Sequence, residues 1–233
     1  MNKEYDLETY LSISPNKFGI YLFDKENLKN LYKAELLINE NLNFINHGDL
    51  KKFLDDNIFK IEKMSGKFVE NIFLIFENKK ISNLEIGIKK KNYNTSFTKE
   101  NLENLLFEAK DLFRENYQEQ EIMHMIINKY YFNGKSYPSF DENFKCDHLA
   151  LEIQFRFVSK NIIFDLNKIL ENYQIKIIKY LDGNYVKNIF DDDLELSEMS
   201  HKILHGHNLN EVVIVEKNIK KLAFFEKFFQ LFS

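Results

Sequence analysis

Between Leu11 and Leu36 the chain places apolar side chains at every second position in three successive runs: Leu11 and Ile13, then Phe18, Ile20 and Leu22, then Leu31 to Leu36. That is the period of a strand with one buried face. The breaks between the runs, Ser14-Pro15-Asn16 and Asp24-Lys25-Glu26-Asn27, are built from turn formers. The runs therefore predict a meander of three strands. From Asp49 the spacing changes to three and four, with Leu50, Phe53, Leu54, Ile58 and Ile61 on one helical face behind an Asp cap. This amphipathic helix is expected to end near Gly66.

The same reading continues along the chain. Asn71 to Phe76 is a continuous apolar run, NIFLIF, and predicts a buried strand paired with an edge-like strand over Leu84 to Ile88. Thr98 caps a helix in which Leu102, Leu105, Leu106, Ala109, Leu112 and Phe113 share a face, with Glu100 in the first turn. Ile122 to Phe132 reads as a strand turned by Asn133-Gly134, and His148 to Val158 alternates apolar and polar residues. These two are expected to pair as an antiparallel ribbon. Ser159 opens a helix carrying Ile162, Ile163, Leu166, Ile169 and Leu170, and Ile175 to Leu181 returns as a strand before Asp182-Gly183. Helices interrupt strands without strict alternation, which predicts a mixed sheet and an α+β (α/β-like) architecture over a regular doubly wound fold.

Composition sets the function classes. With 233 residues the chain suits one domain or two small ones, and 44% hydrophobic residues supply a core. A net charge of -4 and the lack of a basic block argue against nucleic acid. A lone cysteine, Cys146, makes no internal disulfide and points to a reducing cytoplasm. The opening MNKEYDLETY has no apolar leader, and no run reaches the length of a membrane span. Only 7 glycines occur, and neither G-x-x-x-x-G-K-[ST] nor G-x-G-x-x-G is present, so nucleotide chemistry lacks its usual parts.

Three groups of chemistry-bearing residues remain. His201, His205 and His207 form H-x-x-x-H-G-H, whose i, i+4 pair could hold a metal, but without a carboxylate arrangement the polar helix end is preferred. Cys146 and His148 share a strand face without a third catalytic partner. Asp191, Asp192 and Asp193 read as a solvated acidic loop. Catalytic residues, metal ligands and cofactors are accordingly not expected.

The tail carries more information. In KNIKKLAFFEKFFQLFS, residues 217–233, a helical wheel gathers Leu222, Phe224, Phe225, Phe228, Phe229, Leu231 and Phe232 over about half the circumference. Lys220 and Lys227 lie on the other side, and Lys221 interrupts the apolar face, where it can snorkel. Two readings are open: a terminal helix packed on the core or a partner, and an interfacial anchor in which the aromatics enter lipid and the lysines meet anionic headgroups.

The succession LKKFLDDNIFKIEKM, ENIFLIFENKKI, FTKENLENLLFEAKDLF, EIMHMIINKYYFNGKSY and HLALEIQFRFVSKNIIFDLNKILENYQIKIIKYL, with the amphipathic tail, resembles the bacterial cell-division protein family FtsA, which is actin-like with an inserted SHS2-type domain. The resemblance implies a partial actin-like (ribonuclease H-like) subdomain over 1–81 and 159–216, an SHS2-like insertion over 82–158 and the tail helix over 217–233. It also implies a place for a first phosphate loop in the opening hairpin. There LSISPNKFGIYLF sets Ser12, Ser14 and Pro15 where the family has Asp, Gly and a hydroxyl residue. The second phosphate loop is missing after Leu181, where the chain runs on as DDDLELSEMSHKILHGHN.

The expectation is therefore a non-catalytic, FtsA-like division adaptor, cytoplasmic and peripheral on the inner face of the cell membrane. Its expected partners are other division proteins, further copies of itself and the anionic membrane. FtsZ contact is in doubt, because the family's FtsZ-binding lobe is expected to be lacking. Two alternatives stand beside it: an actin-like protein of cell division that still holds ATP, and a relative serving pilus assembly.

Overall fold

The computed structural model describes residues 6–38, 45–140, 145–190 and 193–213. The tail helix expected over 217–233, with all its membrane-facing candidates, lies outside the described residues, as do Asp191 and Asp192. The meander is present as β1 (Leu7–Ser14), β2 (Lys17–Asp24) and β3 (Lys29–Leu37). It is followed by α1 (His47–Ser65), β4 (Asn71–Phe76), β5 (Ser82–Ser96), α2 (Lys99–Asn116), β6 (Gln120–Phe132), β7 (Lys135–Tyr137) and β8 (Lys145–Ser159). The series closes with α3 (Lys160–Leu170), a single 3-10 turn, β9 (Lys176–Asp182), α4 (Gly183–Ile189) and α5 (Leu196–Leu204). No helix among the described residues is long and apolar enough to cross a membrane.

The fold class is mixed α and β, with two sheets that belong to two compact units. Among the described residues, the first unit takes those within 6–82, 119–123 and 157–204, and the second those within 83–118, 124–156 and 205–213.

In the first unit the strand order is β3-β2-β1-β4-β9. The meander strands pair antiparallel, whereas β1–β4 and β4–β9 are parallel. Parallel neighbours cannot be joined by a tight turn, so the chain leaves the sheet between them and returns through helices. On one face α1 and α3 bring Leu50, Leu54, Ile61, Leu166 and Leu170 against Leu11, Ile13, Ile20, Leu74 and Phe76. On the other, Tyr10 stacks on Phe73 with centroids 5.2 Å apart, and Phe23 meets the ring of His201 from α5. Cover on both faces is why β4 is apolar at consecutive positions.

That cover also corrects one expectation. β4 pairs with β1 and β9, not with the strand that follows it, and β5 lies in the other sheet. The helix cap moves as well: Asn46, rather than Asp49, caps α1 and accepts from Gly48 and Asp49 N–H, while Asp49 joins the first turn. At the far end Gly66 closes the helix with φ of 70°, a left-handed cap that a side chain would strain.

The second unit holds a sheet ordered β5-β8-β6-β7, in which β6 and β8 lie side by side. Asn133 and Gly134 turn β6 into the short β7 with φ of 50° and 83°, the conformation a two-residue hairpin demands. α2 begins with a capping box, in which Thr98 and Asn101 bond each other's backbone N–H. Its buried face carries Leu102, Leu105, Ala109 and Phe113, and Phe113 stacks on Phe155 at 4.8 Å. Residues 210–212 lie beside β6, where Val212 N–H donates to Met125 O and His124 Nδ1 pairs with Glu211 at 2.7 Å.

Candidate functional site

In an open sheet with parallel strands, ligands settle outside the strands' carboxyl ends, where loops diverge. In the first unit those ends belong to β1, β4 and β9. They bring together Ser14, Pro15 and Asn16 of the opening hairpin, Glu77 and Asn78 after β4, and Asp182 and Gly183 after β9.

The hairpin is closed tightly. Ser14 pairs with Lys17, leaving Pro15 and Asn16 as a two-residue turn. The Ser14 hydroxyl bonds Lys17 O at 3.0 Å and Asn16 Oδ1 at 3.1 Å, and Ile38 N–H donates to Asn16 O at 2.8 Å. A phosphate cradle needs backbone N–H groups converging on open space. Here Pro15 supplies no N–H, and the Ser14 hydroxyl is spent within the turn. The space left between Ile13, Ser14, Pro15, Phe18, Ile38, Ile45, Phe76 and Glu77 is about 10 Å³, room for at most one water.

Glu77 and Gly183 close the other side. Glu77 N–H donates to Ile13 O, fixing the loop against β1, and both carboxylate oxygens engage Lys187 Nζ of α4, at 2.7 and 2.8 Å. Gly183 lies so near that a Cβ there would overlap Glu77 Cγ and touch Cδ and Oε1 at 3.0 Å. Asp182 is 1% exposed, and its carboxylate caps α4 by accepting from Asn184 and Tyr185 N–H. The acidic groups at this edge thus bond neighbouring groups of the same unit, and the geometry knits strand ends together.

A second polar cluster lies in the same unit. Glu8 is buried, and one of its oxygens accepts from Tyr10 OH and meets His201 Nδ1 at 2.7 Å. Lys25 stands 3.9 Å from its other oxygen. Burial, and then the Glu8 charge and hydrogen bond, push the Tyr10 phenol far above its usual range. Tyr21 OH donates to Glu35 at 2.7 Å and is raised likewise, first by burial and then by that bond. Burial alone would raise Glu35, but the hydrogen bonds from Tyr21 and Lys17 and the charges of Lys17 and Lys33 outweigh it and hold the carboxyl below its ordinary range.

The sequence candidates are distributed as follows. Ser12 is buried in β1, and Ser14 and Pro15 stand at the hairpin. His201 lies in the last turn of α5 but is only 9% exposed, so it is a buried partner of Glu8. Cys146 is fully buried, at the start of β8. Glu77, Gly183 and Lys187 were not legible as a group, because some 110 residues separate Glu77 from Lys187. Asp182-Gly183 carried a usable signal, since the same dipeptide that marks a turn also opens a helix.

No family model and no curated protein match the sequence. Among solved structures the chain is similar to a Bacteroides thetaiotaomicron protein with an actin-like ATPase fold and unknown function, at 12% identity over 80% of this chain and 56% of that one, TM-score 0.36. It is similar to the PilM–PilN type IV pilus biogenesis complex at 9% identity, covering 77% and 48%, TM-score 0.46. A third is the cytoplasmic domain of EpsL, an inner membrane component of the type II secretion system of Vibrio cholerae, at 9% identity, covering 77% and 58%, TM-score 0.35. The chain spans about half the length of these structures. Likeness at this level bears on fold alone.

Proposed function

We propose that the chain is a non-catalytic adaptor of the actin-like kind, related to the FtsA family, that joins proteins at the inner face of the cytoplasmic membrane during cell division. One observation supports the non-catalytic part of this reading. The hairpin where the resemblance puts a phosphate loop is a Ser-Pro-Asn-Lys turn whose hydroxyl is bonded inward, beside a cavity of about 10 Å³. A triphosphate would have to unmake that turn. On this reading the SHS2-like segment supplies a protein-binding surface, and Lys220, Lys221, Leu222, Phe224, Phe225, Lys227, Phe228, Phe229, Leu231 and Phe232 supply the anchor. A fully buried Phe contributes roughly 1.5–3 kcal/mol, much of it offset by helix ordering, so one copy holds lipid reversibly and clustering strengthens it.

Two experiments test the reading. A tagged copy expressed at native level should concentrate at midcell, and co-purification should recover division proteins. Recovery of pilus or secretion proteins instead, with no midcell signal, would overturn the division assignment. Deleting residues 217–233 should release the purified protein from vesicles rich in anionic lipid. Unchanged co-sedimentation would overturn the anchor.

A further inference from the structure

The outer edge of β3 is open: among the described residues its neighbour in the sheet is β2, on one side. Which backbone groups face outward follows from register. Leu37 lies opposite Lys17 and Leu36 opposite Phe18, and Ile38 N–H donates to Asn16 O at 2.8 Å. Hydrogen-bonded positions alternate along an antiparallel pair. Leu36, Ala34 and Tyr32 therefore bond β2, while Leu37, Glu35 and Lys33 turn their N–H and C=O toward the free edge.

We propose that this edge pairs antiparallel with β3 of a second copy of the chain, about a two-fold axis at Ala34. A two-fold contact sets the same patch against itself, and outward positions must meet outward positions. Centring the pair on Lys33 or on Glu35 sets like charges opposite. Centring it on Ala34 sets Lys33 of each copy against Glu35 of the other, twice over, in hydrogen-bonded positions. Both side chains are on hand, 39% and 32% exposed. They already belong to a row of alternating sign, with Lys17 3.1 Å from Glu35 and Glu195 2.6 Å from Lys33, and the second copy continues that row. On the other face the same register sets Tyr32 against Leu36, which is 39% exposed in one copy.

Lysines and bulges ordinarily guard a sheet edge against pairing. Here the bulge lies near Leu31, where the β2–β3 register shifts, so it limits the contact to the segment 32–36. The lysine, instead of repelling every strand, selects one that offers a carboxylate two positions along. So short a contact is below the area of a stable dimer. The association is therefore weak, concentration-dependent and salt-sensitive. It does not depend on the adaptor reading.

Sedimentation velocity of the full chain across a wide concentration range tests the proposal. A monomer–dimer equilibrium is expected. Lys33→Glu alone and Glu35→Lys alone should each weaken it about fivefold or more by setting like charges opposite, and the double variant Lys33→Glu/Glu35→Lys should recover it. Far-UV circular dichroism checks that each variant folds. Amide exchange gives a readout that a merely structural role would not move. Lys33 and Glu35 should slow as concentration rises, while Tyr32, Ala34 and Leu36 are slow throughout. A monomer at every concentration, a double variant that fails to recover dimer, or exchange at Lys33 and Glu35 that ignores concentration would each overturn the proposal. So would association that both single reversals leave intact, the result expected if the tail drives it.

Discussion

Replacing Gly183 by alanine sets two opposed effects against each other, and the structure decides between them. Gly183 is the first residue of α4 and does not have a positive φ. Backbone considerations alone therefore favour alanine, by about 0.4–1 kcal/mol, through lost freedom in the unfolded chain. Against this, the new Cβ would overlap Glu77 Cγ, and Glu77 can swing aside only by disturbing the contacts that both its oxygens make with Lys187. Overpacking of this kind costs about 1–3 kcal/mol. The net expectation is destabilisation by about 0.5–2 kcal/mol, a fall in melting temperature of roughly 1–8 °C for a chain of this size.

The decisive arm is a double-mutant cycle with Glu77→Ala, read by urea unfolding. Truncating Glu77 leaves its N–H bond to Ile13 in place and removes the obstruction. In that background Gly183→Ala should be neutral or stabilising, so the sign of its effect reverses and the coupling reaches about 1 kcal/mol or more. If Gly183→Ala stabilises the otherwise native chain, or costs the same in both backgrounds, then Glu77 does not pin this edge and the closed site as described is wrong.

Asn46→Ala removes the oxygen that accepts from Gly48 and Asp49 N–H and should cost about 1 kcal/mol, whereas Asp49→Ala leaves the cap and costs less; urea midpoints distinguish them. Leu54 is fully buried beneath the sheet, and Leu54→Ala should cost about 2–5 kcal/mol in the same assay. The folded value of Glu35 lies below its ordinary one, so its contribution to stability is complete above the ordinary value and is lost as pH falls through the lower folded value. The stability difference between the native chain and Glu35→Gln should accordingly shrink as pH is lowered through the carboxylate range, and a difference that grows on acidification would contradict the assignment. Phe225→Glu with Phe229→Glu should free the protein from anionic vesicles while leaving its melting temperature unchanged; a lowered melting temperature would instead place these rings against protein.

Periodicity carried the local structure well where one face of an element meets a core. β1, β2, α1 and α2 follow directly from spacings of two and of three and four. The run NIFLIF was legible as a buried strand but not as a central parallel one, because its neighbours are β1, some sixty residues earlier, and β9, a hundred later. Pairing over such distances is set by which faces can be covered together, and no local pattern records it. Short elements escaped for a related reason. β7 has three residues and α4 seven, too few for a period, and Asp182-Gly183 has equal claim to be a turn or a helix start. At the candidate site, the departure of Ser14 and Pro15 from a phosphate loop could be read directly. The Glu77–Gly183–Lys187 closure could not, since it exists only once β4 and β9 lie side by side.

Calorimetric titration of the purified full chain with ATP and magnesium tests the central claim most directly. A bonded-in Ser14 hydroxyl, a proline without an N–H and a cavity of about 10 Å³ predict no saturable heat. A saturable isotherm near one nucleotide per chain, weakened by substitutions at Ser14 or Asp182, would show that the strand ends open to hold a triphosphate and would contradict the account.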